Sequence, residues 1–455
     1  MTQSTTARLA VPALDPHFLP QLVRHLPESM VRHAAAASYL THAPRDRILP
    51  RYFLLWLQVA AGIFSHCSIT QVIRALIPGF AEQMPSSSVI AQGRSRLGWL
   101  AFRQLAACVA LPIAKIGENS RAFYRGLRLV GIDGTSLAMA DTPSNDQAFG
   151  RAYNQVGASN DPRLRRVALC ELGTHVLFHW IVKPFRTSEL RMSYALLSHL
   201  QADQLLLHDC AFFGFEFWQK IGTLQANLLG RAPSGPLLKA HQRLSDGSYL
   251  SRIYRRNDRG ANRQGIEVRV IAYCHQDPKR TRCGKRTRLV TTLLDAEKYP
   301  ARELIELYHQ RWEQELAFDE IKTHLNGRDV ELSSKTPVGV LQEVWGLILG
   351  HWVLRSLMVE AGHQMKVDPL DLSFMETLRI VQMKMNGAPP PSKPRKFESW
   401  WKKLLNEIGK CVLRKRRDRI YPRVQKKGRN KFPAKRCHHQ GQLTCPFADV
   451  VIILN

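Results

Sequence analysis

Four side chains on one stretch of the chain stand out for their spacing: Tyr308, Arg311, Glu315 and Lys322. At roughly 100° per residue on an α-helix they project at about 0°, −60°, −20° and −40°, one narrow stripe carrying a phenol, a guanidinium, a carboxylate and an ammonium. Glu306, Glu313 and Glu320 project from the far side. A solvated helix face would account for Arg311 and Glu315 as an i, i+4 ion pair, but gives no reason for Tyr308 and Lys322 to complete the stripe. Two further carboxylates each follow a short apolar run: Asp133 after Leu129-Val130-Gly131-Ile132, and Asp209 after Leu205-Leu206-Leu207-His208. A carboxylate ending a buried strand has a rigid base and an exposed tip, the arrangement that metal-assisted phosphoryl transfer needs. Mg²⁺ takes few protein carboxylates and keeps waters or substrate oxygens, so three acids are enough. Taken singly, each aspartate is as readily an Asp-Gly turn or a helix cap.

The surrounding pattern supplies elements to position these groups. Residues 17 to about 120 carry apolar positions at helical spacing with Pro and Gly breaks. Arginines 45, 47, 51, 94 and 96 there suit either DNA docking or a plain solvated face. From Leu127 the chain turns β-compatible through Ala140, and Arg166–Gly173 with Thr174–Lys183 reads as a hairpin. A helix over Ser188–Gln201, capped by Ser188, a buried strand over Gln204–His208 and a helix over Phe215–Arg231 follow. His208 adjoins Asp209, but strand alternation points it to the opposite side. Short strands with turn signals fill Pro236–Asp295, and Ala301–Leu325 is rich in strong helix formers. Helices over Val338–Gly362 and Leu370–Met385 precede the break at Pro389-Pro390-Pro391. Trp312 is expected to pack within its helix, and Asp141 and Asp146 to shape a turn.

The net charge of +28, from 65 basic and 37 acidic residues, calls for a polyanionic partner. From Asn386 onward there are 18 Lys and Arg against four acids, interrupted by Trp400, Trp401, Leu404 and Tyr421. Disordered tails rarely carry such aromatics, so a basic element that folds on DNA is expected. Nine cysteines without a paired CxxC read as reduced thiols. The cluster Cys437, His438, His439 and Cys445 matches no standard zinc spacing, so zinc is not expected. The apolar stretch Val338–Gly362 contains Gln342, Glu343, His351 and Arg355, which argues against a membrane span. With no basic region leading into an apolar run at the N-terminus, a cytoplasmic protein is expected.

The pattern Tyr-x2-Arg-x3-Glu-x6-Lys over residues 308–322 resembles the signature of insertion-sequence-4 family DDE transposases. Asp133-Gly134-Thr135 resembles that family's first acidic motif. Asp209 with Gly214, Phe215 and Trp218 resembles its second, and Leu244, Asp246, Gly247 and Ser248 a segment of its β-rich insertion. Leu26-Pro27-Glu28, Arg45–Pro50 and the basic run Tyr421–Arg436 are similar to its terminal regions. The resemblance implies an α/β fold with a ribonuclease-H-like mixed sheet. It places a helical N-terminal domain at 1–120, the catalytic domain at 121–330 with an insertion at about 233–285, a helical part at 331–388 and a basic element at 389–455. It also implies two Mg²⁺ (or Mn²⁺) on Asp133, Asp209 and Glu315, and phosphate contacts from Tyr308, Arg311 and Lys322. Double-stranded DNA, as element ends and target, is the implied partner, with a homodimer in the DNA complex. Some members stack a flipped base on a Trp in the strand before the signature helix. Thr287–Leu294 has no aromatic there. An endonuclease that cuts without joining, or an inactive DNA-binding relative, fits the same residues.

Overall fold

The computed structural model describes residues 24–36, 49–76, 84–155, 157–255, 265–274, 286–327, 331–384, 387–389 and 393–413. The expected basic run at Tyr421–Arg436, the Cys437–Cys445 cluster and Arg45–Ile48 lie outside them.

Among the described residues, short helices come first: α1 (Glu28–Ala36), α2 (Arg51–Ile63), α3 (Ile69–Leu76), α4 (Ser87–Leu97) and α5 (Leu100–Val109). The sheet then begins with β1 (Phe123–Tyr124) and the long β2 (Leu127–Ala138). After α6 (Pro143–Phe149) and β3 (Arg151–Asn154) come β4 (Gly157–Glu171) and β5 (Val176–Pro184), the expected hairpin. Helix α7 (Glu189–Leu197) leads to β6 (Gln204–His208), and α8 (Phe215–Thr223) to β7 (Asn227–Arg231). The expected helix at 215–231 therefore stops eight residues early. Gln225 turns with φ +56, and the apolar Leu228-Leu229 pair enters the sheet beside β6.

Five strands form the centre in the order β5-β4-β2-β6-β7. The β4 strand runs antiparallel to both β5 and β2, whereas β6 is parallel to β2 and to β7. That mixed arrangement, with helices α7 and α8 as crossovers, is the ribonuclease-H-like core. All of β6 is buried, as expected for a parallel strand covered on both faces. The stretch between the second and third acids adds β8 (Gln242–Arg243), β9 (Tyr249–Ile253), β10 (Ile266–Tyr273) and β11 (Thr287–Thr291). These extend the same sheet beyond β7, giving 11 strands among the described residues.

Side-chain alternation divides the core in two. Val130, Ile132, Leu206 and Leu228 pack with α7 and α8 on one face. Leu129, Leu205, Leu207 and Leu229 pack on the other, under α9 (Ala301–Tyr308), α10 (Trp312–Asp319) and α11 (Pro337–Met365). Helices α12 (Phe374–Lys384) and α13 (Pro394–Lys410) close the C-terminal side. The N-terminal helices belong to this second core as well, since its cluster runs from Leu26 to Ile408. Helix α11 is long and apolar enough to cross a membrane by composition, yet 72% of its apolar window is buried inside the protein. Its Gly346 lies against α2, where a β-carbon on Gly62 would strike the Gly346 carbonyl and approach the Leu347 nitrogen to 2.8 Å.

Candidate functional site

Sheet register brings the two aspartates together. Gly131 pairs with Leu207 across the parallel β2–β6 ladder. Two residues further on, Asp133 and Asp209 fall level with each other. Asp133 shares its parity with Leu129, and Asp209 with Leu205 and Leu207, so both face the side covered by α9–α11. Asp209 ends β6 and caps a short turn, its Oδ1 accepting from Ala211 N–H at 2.8 Å. The cap reading thus holds for Asp209, which also lies level with Asp133.

Glu315 arrives on α10 from above. The segment from Ala301 to Leu325 is one continuous run, but its middle tightens to 3₁₀ over His309–Arg311 and its end widens to a π-helix over Glu320–Leu325. Asp246 of the strand-rich extension holds the start of this run. Its Oδ2 accepts from Ala301 N–H at 2.8 Å and pairs with the buried Arg269. Gln314 ties α10 to the sheet, its Nε2 donating to the Ala168 carbonyl at 2.9 Å.

Between the acids stands Arg311. Its guanidinium is 3.6 Å from Asp133 and 2.9 Å from Glu315, and the residue is only 9% exposed. Asp133 is pushed up to about 7, first by burial and further by the charges of Asp209 and Glu315; the Gly134 N–H and Arg311 offset only part of this. The site's donors are carboxylate oxygens, the ligands a hard divalent cation prefers. By donor chemistry and charge the residues fit such an ion. Among the described residues, however, no group of three His, Cys, Asp or Glu side chains is already arranged to hold a metal ion. The guanidinium takes that space between Asp133 and Glu315.

An open cavity of about 610 Å³ adjoins the site, lined by Asp133, Thr135, Arg163, Glu315, Phe318 and Lys322 among others. Asp209 does not line it. Lys322 does, so the stripe survives the π turn well enough for Lys322 to line the same cavity as Glu315. Tyr308 departs from the expected phosphate contact. It is buried, and its hydroxyl donates to the His208 carbonyl at 3.2 Å, fastening the helix to the end of β6. Trp312, expected to pack, is 47% exposed, with Arg311 5.1 Å over its ring. His208 faces the opposite core, as alternation requires, between Phe217 and Trp218, and burial pushes its imidazole down to about 4. Asp141 and Asp146 both pair with Arg151.

Sequence reasoning missed the far wall of the cavity. Glu331, pushed up to about 7 by burial and by its hydrogen bond to Asp161, sits there with Arg163. It also missed Arg166, fully buried with its guanidinium 5.0 Å over Phe318. Neither has a local signal, because each depends on contacts between distant segments.

The mixed sheet with two level aspartates under an acid-bearing helix describes a nuclease-like phosphoryl-transfer core. Comparison with known proteins names the class. Residues 124–352 match the transposase DDE domain family, and residues 16–107 match the N-terminal domain of insertion element 4 transposases. The chain is 30% identical over 425 residues to the transposase InsG for insertion sequence element IS4 from Escherichia coli strain K12, covering 90% of this chain and 91% of that protein. It is 29% identical over 213 residues to InsZ of the same strain, covering 44% and 67%. The chain belongs to the insertion-sequence-4 family of DDE transposases, enzymes of DNA transposition that bind the ends of their element.

Proposed function

We propose that Asp133, Asp209 and Glu315 are the catalytic carboxylates and that they hold two Mg²⁺ (or Mn²⁺) ions. The observation that carries this reading is the β2–β6 register, which brings Asp133 and Asp209 level beneath Glu315, with Asp133 pushed up to about 7 first by burial and then by the charges of Asp209 and Glu315. When bound, such ions lower the pKa of the attacking water and neutralise charge at the leaving 3′ oxygen. The freed 3′-hydroxyl then serves as nucleophile for strand transfer into target DNA. Arg311 serves two partners in turn: it neutralises Asp133 and Glu315 in the resting protein, and on loading it is released toward a DNA phosphate. Its planar fork suits bidentate contact, while Lys322 supplies a point charge from the cavity wall. Tyr308 keeps the Asp209 turn in place through the His208 carbonyl.

The domain assignment at 1–120, 121–330, 331–388 and 389–455 is part of the same reading, with end binding in the helical N-terminal part. So are a homodimer in the DNA complex and a cytoplasmic location. The test is Mg²⁺-dependent cleavage of DNA carrying the element's own ends, followed by joining of the cleaved ends to a target plasmid. Glu315→Gln should lose cleavage by at least about a thousandfold, with end affinity held within about twofold. Retained cleavage in that variant sinks the assignment of Glu315. Cleavage without joining in the wild-type protein makes it an endonuclease.

A further inference from the structure

On the side of the signature run away from the acids lies a buried charge cluster that the proposed mechanism does not use. Glu320 begins the π-helical turn, five residues after Glu315. Arg355 on α11 donates to both of its carboxylate oxygens, through Nε at 2.9 Å to Oε2 and through Nη2 to Oε1. His351, one turn earlier on α11, is 2.8 Å from Oε2. His175, in the β4–β5 turn, places Nδ1 3.0 Å from Oε1 and Nε2 2.8 Å from Glu313 on α10. Arg355, His351 and His175 are at most 5% exposed, and Glu320 10%. Burial alone would push the Glu320 carboxyl up, but Arg355 and His175 hold it well below the usual range.

Three features give this cluster a directional role. A buried carboxylate is tolerated only while its lone pairs are filled, so Glu320 accepts one orientation relative to α11 and the hairpin and no other. His175 holds a left-handed backbone at φ +60, which a non-glycine residue adopts only where its surroundings over-determine it. The helix widens at Glu320 itself, and π turns mark places where a helix is held out of regular register. The run that carries Glu315 is therefore fixed at its start by Asp246, in its middle by Tyr308 and Gln314, and at its end by this cluster. The last tie acts through charge from the side of the run opposite the Arg311–Asp133 pair. It fixes the roll of α10 from the same side as Glu313, which lies two residues before Glu315.

We propose that Glu320, clamped by Arg355, His351 and His175, is a positioning residue that sets the roll of α10 and so brings Glu315 to the metal site formed with Asp133 and Asp209. This rests on the assignment of those three carboxylates. Outer-shell groups that orient a ligand typically change metal affinity by about 10–100-fold when lost. The clamp's signature is thus a change in metal affinity with DNA binding intact, which a merely structural role does not produce.

The experiment titrates Mn²⁺ by electron paramagnetic resonance into wild type, Glu320→Gln, Arg355→Lys and Leu196→Ala, with end-DNA affinity and Mg²⁺-dependent cleavage measured alongside. Leu196→Ala opens a cavity under α7 in the opposite core, away from α11 and the clamp, and controls for lost stability. Glu320→Gln should weaken Mn²⁺ by about tenfold or more and leave end-DNA affinity within about twofold; Arg355→Lys should fall between it and wild type. Leu196→Ala should bind Mn²⁺ like wild type. Unchanged Mn²⁺ affinity in a folded Glu320→Gln, or an equal loss in Leu196→Ala, overturns the clamp and leaves the transposase mechanism standing. Should Glu320→Gln not fold, Arg355→Lys decides by the same affinities. Wild type that binds Mn²⁺ but cleaves nothing fails the mechanism, and the clamp is still judged on affinity. Wild type that binds no Mn²⁺ overturns both.

Discussion

Replacing Asp133 with Asn should make the metal-free protein more stable at pH 8, although it removes a charged group from a site rich in hydrogen bonds. The Asp133 side chain is 20% exposed, and burial, followed by the charges of Asp209 and Glu315, raises it from 3.8 to about 7. Between those values the folded protein retains a proton that the unfolded chain has released. Stability therefore falls as pH rises through that window and stays low above it. A shift of about three units sets a ceiling of ~4 kcal/mol for this penalty at pH 8, and of ~2 kcal/mol at pH 5. Asn keeps the acceptor for the Gly134 N–H, which is 2.7 Å from Oδ1. It gives up the Arg311 contact at 3.6 Å. That loss trims the expected gain to ~2 kcal/mol at pH 8 and to under ~1 kcal/mol at pH 5. Urea unfolding in EDTA, followed by far-ultraviolet circular dichroism at both pH values, measures it. In excess Mg²⁺ the order should reverse, because only the wild type gains stability from the ion. A variant no more stable than wild type at pH 8 in EDTA would refute the reasoning, as would a gain that does not shrink in acid.

Two other substitutions probe separate parts of the argument. Gly62→Ala should cost ~2 kcal/mol or more, because its methyl meets the α11 backbone and neither helix has a flexible atom to yield; thermal unfolding checks this. Lys322→Ala should weaken binding of end DNA and of unrelated DNA alike and lower the slope of log affinity against log salt by about one, as measured by fluorescence anisotropy over a salt series. An unchanged slope removes Lys322 from the phosphate contacts.

The sequence alone determined the family and singled out the residues proposed for its chemistry. Periodicity is a local property, so the stripe from Tyr308 to Lys322 could be read from the helical repeat, and the apolar runs before Asp133 and Asp209 from composition. The same local signals placed the β4–β5 hairpin, the Ser188 cap and β6. They failed at Phe215–Arg231, where a short apolar strand behind a helix looks like more helix until a neighbouring strand claims it. Tertiary structure decided the rest. That Asp133 and Asp209 are level depends on a register between strands more than 70 residues apart, which no local pattern carries. The helical wheel puts Tyr308 in the stripe and Glu320 on the far side, and both are buried. A wheel shows which residues share a face; only packing against β6, α11 and the hairpin shows which faces meet protein. Glu320 is affordable inside because Arg355, His351 and His175 arrive from elsewhere in the chain, and their arrival is a fact of the folded molecule alone.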